Sequence, residues 1–197
     1  MRGRHGRLSL LTPGPFAEFV AVSREHLLDP LVAADRLARG ARIFDALFEG
    51  LPVEFARWKP APERWSLLEI VGHLADEEVF DFRARVESTL RDPRAPWPSI
   101  APQDWVVERA YNAADPIAAL RRFQEERARS VAWLRAQTGA SWSNAYVHPK
   151  IGPMSARMLL ANWLAHDQLH ARQMLKVHRD ALALDAAPDA LDYAGPW

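Results

Sequence analysis

The sequence predicts an all-α protein, a single four-helix bundle preceded by a short N-terminal helix. Three observations predict this class. Four long segments carry apolar residues at helical spacing, each segment begins at a capping residue, and no segment shows the apolar–polar alternation of a half-buried strand. The chain has 197 residues, which is enough for one domain with a full hydrophobic core and too short to expect two.

Capping chemistry defines where the four long helices start. Asp29 and Asp115 each precede a proline at the first helical position, where the missing N–H costs nothing. Ser66, with Glu69 three residues later, forms a capping box, and Ser155 opens the last helix. The predicted helices span about 30–49, 66–91, 116–137 and 155–180, with a shorter one over 16–28.

Long connections separate these helices. Residues 50–65, 92–114 and 138–154 are predicted loops, and the first two are rich in proline. A link as long as 92–114 allows the second and third helices to be joined by a crossover. The sequence therefore predicts one domain over residues 16–197, with residues 1–15 forming a flexible N-terminal arm.

Composition excludes several functions. The 25 basic and 25 acidic residues cancel, which argues against binding to nucleic acid. No stretch reaches the roughly 20 apolar residues of a membrane span, and the N-terminal apolar run is too short for a signal peptide. We therefore expect a cytoplasmic protein with no membrane partner. The absence of cysteine excludes disulfides, cysteine-ligated metals and a protein thiol nucleophile.

The fourth helix contains the most informative spacing, a histidine pair one turn apart. His166 and His170 lie about 40° apart around the helix axis. The apolar residues of the same inward face are Leu159, Trp163, Met174 and Val177. Buried imidazoles need partners, and a divalent metal ion is an efficient one. The alternative is two core-edge histidines bonded to the backbone or to each other. The zincin motif is excluded because Asp167, not glutamate, follows His166.

His73 is the candidate third ligand. It lies at the border of the apolar stripe of the second helix, about 10–12 Å from the start of that helix. If this helix runs antiparallel to the fourth, the three imidazoles share one level. The alternative is a half-exposed surface histidine. Because no Glu-x-x-His motif occurs, ferritin-like di-iron chemistry is excluded.

Other residues are candidates for catalysis or for lining a pocket. Glu77, one turn after His73, could orient that ligand or act as a base, with a solvated charge as the alternative. Gln173 flanks the histidine face and could position a ligand or substrate, or belong to a core hydrogen-bond network. The candidate pocket and cofactor-binding residues are Trp65, Asn162, Trp163 and His148.

The motifs resemble those of the DinB-like, or YfiT-like, superfamily of bacterial four-helix bundles. The resemblance lies in segments 65–78, 146–155 and 166–173, whose order and spacing cover most of residues 30–180. It implies an up-down-down-up bundle with the long crossover between helices two and three. It also implies one divalent metal ion (Zn, Ni or Fe) bound by His73, His166 and His170, and a homodimer.

The resemblance further implies a metal-dependent enzyme acting on a small molecule. The leading expectation is an S-transferase that uses a low-molecular-weight thiol of the bacillithiol or mycothiol type against a small electrophile. Because the chain has no cysteine, the sulfur must come from such a cosubstrate. The alternatives are a metal-dependent hydrolase and a non-catalytic, metal-stabilised dimeric module.

Overall fold

The computed structural model describes residues 28–197. In chain order these form α1 (Pro30–Phe48), α2 (Val53–Arg57), α3 (Leu67–Asp76), a π-helical segment (Glu77–Phe82), α4 (Arg83–Arg91), α5 (Pro102–Glu108), a 3-10 turn (Tyr111–Ala113), α6 (Pro116–Ala136), β1 (Ala145–His148), β2 (Gly152–Ser155), α7 (Ala156–Asp185) and a last 3-10 turn (Asp192–Ala194). The α3, π-helical and α4 segments follow one another without a break and form one long helix. The predicted arm 1–15 and nearly all of the predicted helix 16–28 lie outside the described residues.

Four long helices make an up-down-down-up bundle, and the all-α prediction is confirmed. They are α1, the composite α3–α4 helix, α6 and α7. Their starts carry the expected caps: Asp29 accepts from the N–H of Leu31 at 2.7 Å, and Ser66 and Glu69 form the capping box. Helix α7 continues to Asp185, beyond the predicted end near residue 180.

The third predicted loop contains a short antiparallel hairpin. Strands β1 and β2 pair with Tyr146 opposite Met154. Trp97 from the crossover stacks on Tyr146 with 4.2 Å between ring centroids, and Met154 is buried. The loop prediction is wrong here because four-residue strands are too short to show alternation. Their pairing depends on an aromatic contact that is distant in sequence.

A polar layer divides the bundle core into two apolar clusters. One cluster includes Leu37 and Trp163, and the other includes Phe44, Phe123 and Met174. In each of α1, α6 and α7, a short polar or glycine-containing stretch separates the residues of one cluster from those of the other. The buried charged residue of this layer in α6 is Arg127. None of the described helices is both long and apolar enough to cross a membrane.

Candidate metal centre

Three histidines from two helices converge within the bundle. The Nε2 atom of His166 lies 3.3 Å from Nε2 of His73 on α3 and 3.0 Å from Nε2 of His170 on α7. One nitrogen from each ring can be chosen so that all three atoms lie within 4.8 Å of one another. Imidazole nitrogens at about 2.0–2.1 Å from a tetrahedral metal ion are themselves roughly 3.3 Å apart. The spacing therefore matches that of a three-histidine metal site.

Burial keeps the three imidazoles neutral. Burial, together with the neighbouring His170, lowers the pKa of His73 to about 3 and that of His166 to about 2. Burial lowers the pKa of His170 as well. Each ring therefore has an unprotonated nitrogen at neutral pH, the form in which histidine binds metals.

Gln173 fixes the orientation of one ring. Its side-chain oxygen Oε1 lies 2.7 Å from Nδ1 of His170. Because an amide oxygen can only accept, Nδ1 carries the hydrogen and donates it, which leaves the Nε2 lone pair facing His166. His73 has no such partner: its Nδ1 is 3.8 Å from Oε1 of Glu77 and makes no hydrogen bond within residues 28–197.

The histidines open onto a cavity of about 860 Å³. Trp65 forms one wall, since its ring is parallel to that of His170 at 6.2 Å and lies 4.9 Å from that of His73. The charged side chains that line the cavity are Glu63, Arg64, Glu77, Asp81, Arg172 and Lys176. The site therefore combines a histidine cluster with both acidic and basic groups.

Two carboxyl groups reach the cavity from the π-helical stretch. Burial, together with the neighbouring Asp81 carboxyl, raises the pKa of Glu77 to about 9. Burial also raises the pKa of Asp81, against the lowering effects of Glu77 and Arg85. π-Helical turns occur frequently at functional sites. Asp81 was missed in the sequence, although residues 73, 77 and 81 follow one another at four-residue spacing.

Three predicted pocket residues do not line this cavity. Asn162 is exposed and donates to the carbonyl of Met158 at 2.8 Å. Trp163 is buried in the core, where its indole N–H donates to Glu78 at 2.8 Å. His148 lies on β1, and its Nδ1 accepts from the backbone N–H groups of residues 150 and 151. Of the four predicted pocket residues, Trp65 is the one that the structure brings to the histidines.

Sequence reasoning also missed three buried acidic residues with arginine partners, which form two clusters. Asp76 accepts from Tyr111, Arg109 and Arg122. Asp167 forms a paired contact with Arg127, which also binds Glu78. Local sequence gives no signal for these contacts because Arg122 and Arg127 lie in a highly charged stretch of α6 that looks solvated.

Together, the bundle and the histidine cluster define a helical protein with a candidate mononuclear metal centre beside a cavity. Residues 36–174 match the sequence model of the DinB superfamily, and the chain belongs to this family. The matched range contains all three histidines.

The fold is also found among solved structures. The chain is similar to YfiT from Bacillus subtilis, with 19% sequence identity and a TM-score of 0.68 over 81% of this chain and 89% of that chain. YfiT is described as a probable metal-dependent hydrolase with an unusual four-helix bundle topology. No curated protein matches this chain.

Proposed function

We propose that this protein is a metal-dependent enzyme in which His73, His166 and His170 hold one divalent metal ion. The observation that carries the proposal is the convergence of three neutral imidazoles in the lining of a cavity. When bound, such an ion lowers the pKa of a coordinated thiol or water and holds it beside an electrophile. YfiT, a structure of similar fold, is itself described as a probable metal-dependent hydrolase.

The donor set fits a catalytic site better than a structural one. Structural zinc sites are closed by four protein ligands, whereas catalytic sites use three and leave a position for water or substrate. Among residues 28–197 the cluster has three members and faces the cavity. This arrangement disfavours the non-catalytic module. Three imidazoles suit zinc, nickel or iron.

The finer proposal is transfer of a low-molecular-weight thiol onto a small electrophile. A cavity of about 860 Å³ is large enough for a drug-sized ligand, and so for a thiol cosubstrate beside a small partner. Trp65 offers an apolar wall and Arg172 offers positive charge to an anionic group. Arg64 and Lys176 also line the cavity, but both are paired with the one carboxylate of Asp180. The chain has no cysteine, so the sulfur nucleophile would be the cosubstrate thiol.

Hydrolysis is the second candidate, and a specific observation favours it. Glu77 and Asp81 line the cavity beside His73. Burial holds Glu77 protonated at neutral pH, and the positive charge of an ion held by the three histidines would lower its pKa again. In the ionised form so restored, Glu77 would accept the proton that a water nucleophile loses as it attacks the substrate. In this reaction Gln173 would have the same role as in the transferase, holding the ring of His170.

Metal analysis tests the shared part of these proposals. Purified protein, stripped with a chelator and reloaded, should contain one ion per chain. His166→Ala and His170→Ala should abolish binding, and His73→Ala should weaken it severely, while all three variants keep their helical circular dichroism. His148→Ala is the matched control and should bind like wild type. If wild-type protein takes up no ion from zinc, nickel or iron, the proposal is wrong.

Thermal shift separates the two chemistries. A thiol user should be stabilised by bacillithiol or mycothiol only when metal is loaded, because a ligand that binds the folded state alone raises the melting temperature. The corresponding disulfides, which lack a free thiol, are the control. Absence of any metal-dependent shift would contradict the transferase and leave hydrolysis as the proposal.

We also propose that the protein is a homodimer, as the family resemblance implies. Light scattering on the eluting chromatographic peak should give about twice the 22.3 kDa chain mass. A mass of one chain at micromolar concentration would contradict this proposal.

A further inference from the structure

A buried ion cluster adjoins the three histidines, and its arginine comes from α6, a helix that contributes none of them. Arg127, in the middle of α6, is 2% exposed. Its two terminal nitrogens donate to the two carboxylate oxygens of Asp167 at 2.6 and 2.7 Å, and its Nε donates to Oε1 of Glu78 at 2.9 Å. One terminal nitrogen also donates to the carbonyl of Leu37 at 3.1 Å. This single side chain therefore bonds to the other three long helices of the bundle.

The partners of Arg127 adjoin the metal ligands in the chain. Asp167 directly follows His166 on α7, and Glu78 lies on the same composite helix as His73, five residues later. The two helices that supply the histidines thus share one guanidinium as a common hydrogen-bond donor.

A second path runs through packed rings. Oε1 of Glu78 also accepts from the indole N–H of Trp163 at 2.8 Å. The Trp163 ring is stacked on Phe82 with centroids 5.6 Å apart, and the Phe82 ring lies 5.0 Å from that of His166. The ion cluster therefore reaches His166 both along α7 and through these two aromatic rings.

Stability alone is a poor explanation for this cluster. Desolvating one guanidinium and two carboxylates costs about as much as their attraction returns, and apolar replacements of buried ion pairs are often neutral or stabilising. What the guanidinium does provide is a fixed direction for each of its hydrogen bonds, because its donors lie in one plane at fixed angles. Direction matters here, since metal–ligand distances tolerate changes of only about 0.2 Å.

The sensitivity of the site to helix rotation can be estimated. A helix with its side chains is about 10–12 Å across, so rotation by about 10° moves a side-chain atom at its edge by roughly 1 Å. A displacement of this size at His166 would exceed the tolerance of a metal bond. The paired contact between Arg127 and Asp167 opposes such a rotation of α7.

We propose that Arg127 is a positioning residue for the metal centre. Through Asp167 and Glu78 it sets the rotation of α7 relative to the composite helix, and so the convergence of His166 with His73. The part of this inference that concerns metal binding rests on the proposed function. The convergence of the rings can be tested without metal.

Two variants perturb the cluster in different ways. Arg127→Lys keeps the charge and loses the planar fork. Gly40→Ala changes no charge, but the added Cβ would lie 2.8 Å from Oδ2 of Asp167, so this carboxylate would have to shift from its position against Arg127. Arg135→Lys is the matched control for the first variant, because Arg135 lies on the same helix in an exposed pair with Asp35.

Two measurements decide the outcome. Competition with a chromophoric chelator should show that Arg127→Lys and Gly40→Ala bind Zn²⁺ about 10- to 100-fold more weakly, with altered Co²⁺ absorption bands, while Arg135→Lys matches wild type. Crystal structures of the metal-free variants should show the Nε2 atoms of His73 and His166 further apart than the 3.3 Å of wild type.

The outcomes are separable. If the folded variants keep both the wild-type distance and the wild-type affinity and differ only in their unfolding midpoint, Arg127 is merely structural and the inference is wrong. If wild-type protein binds no metal, the proposed function fails. The histidine distance in the variants then decides the positioning role of Arg127 by itself.

Discussion

Two arginine–carboxylate clusters hold the composite helix from different sides, and they differ in access to water. Asp76 is fully buried, but its partners Arg109 and Arg122 have side chains that are 35% and 45% exposed. Arg127 and its partner Glu78 are 2% and 1% exposed. In both clusters the carboxylates are inaccessible to water, whereas only in the second cluster is the arginine also buried.

The difference indicates separate tasks. Arg109 and Tyr111 come from the crossover, so the Asp76 cluster fastens that segment to the bundle while its cations keep part of their hydration. Within residues 28–197, the hydrogen bonds of Arg127 go to residues of the long helices, namely Glu78, Leu37 and Asp167. A half-hydrated ion cluster attaches a peripheral segment at low cost, whereas a dry one fixes the relative placement of core elements.

Removing the buried guanidinium of Arg127 should have the largest effect on the free energy of unfolding. Arg127→Met leaves Glu78 and Asp167 buried without their cation, and we expect the free energy of unfolding to fall by about 3–5 kcal/mol. Urea denaturation of chelator-treated protein at neutral pH measures the loss. A cost below that of Arg122→Met, the same substitution on the same helix, would reverse the comparison.

Overpacking beside the Asp76 cluster should have the second largest effect on the free energy of unfolding. A Cβ added at Gly72 would lie 2.7 Å from the Tyr111 ring, so Gly72→Ala should cost about 1–3 kcal/mol despite the better helix propensity of alanine. The double variant Gly72→Ala/Tyr111→Ala should cost less than the sum of the two single variants. Simple additivity in the urea midpoints would show that the two residues are not in contact.

The phenol bond should contribute a smaller amount. Tyr111→Phe removes one donor to Asp76 and leaves its two arginines in place. We expect a loss of about 0.5–1.5 kcal/mol in the same denaturation assay. A loss above that of Arg127→Met would mean that the Asp76 cluster, and not the dry one, dominates stability.

Removing the half-exposed Arg122 should have the smallest effect on the free energy of unfolding. Arg122→Met removes a cation whose side chain is 45% exposed, and we expect a loss of about 0–1 kcal/mol, because a cation half in water contributes little and the buried Asp76 keeps Arg109 and Tyr111 as partners. The change should shrink further in 1 M salt, where the Debye length is about 3 Å. A salt-independent loss of several kcal/mol would show that Arg122 is effectively dry.

The parts of the fold that local chemistry determines could be predicted from the sequence. The Asp–Pro starts and the capping box located the long helices, because these signals involve neighbouring residues. The histidine pair of α7 and the position of His73 at a stripe border followed from helical periodicity alone. Periodicity specifies which face a residue occupies, and this was enough to nominate the triad.

Other parts depended on distant contacts and could not be predicted. Arg127 stands among acidic and basic neighbours, and its burial depends on where Asp167 and Glu78 meet it in space. The hairpin depends on Trp97, which stacks on Tyr146 from the crossover. The π-helical stretch has no glycine or proline to signal it.

The wider turns of the π-helical segment let one helix place two sets of residues that regular α-helical spacing would not place together. An additional residue in an α-helix rotates everything after it by about 100° unless a wider turn absorbs the excess. Here the wide turn allows Glu77 and Asp81 to reach the cavity while Val86 and Thr89 remain buried beyond it. A chain shortened by one residue in this stretch would have to give up either the acidic cavity wall or the packing that follows it.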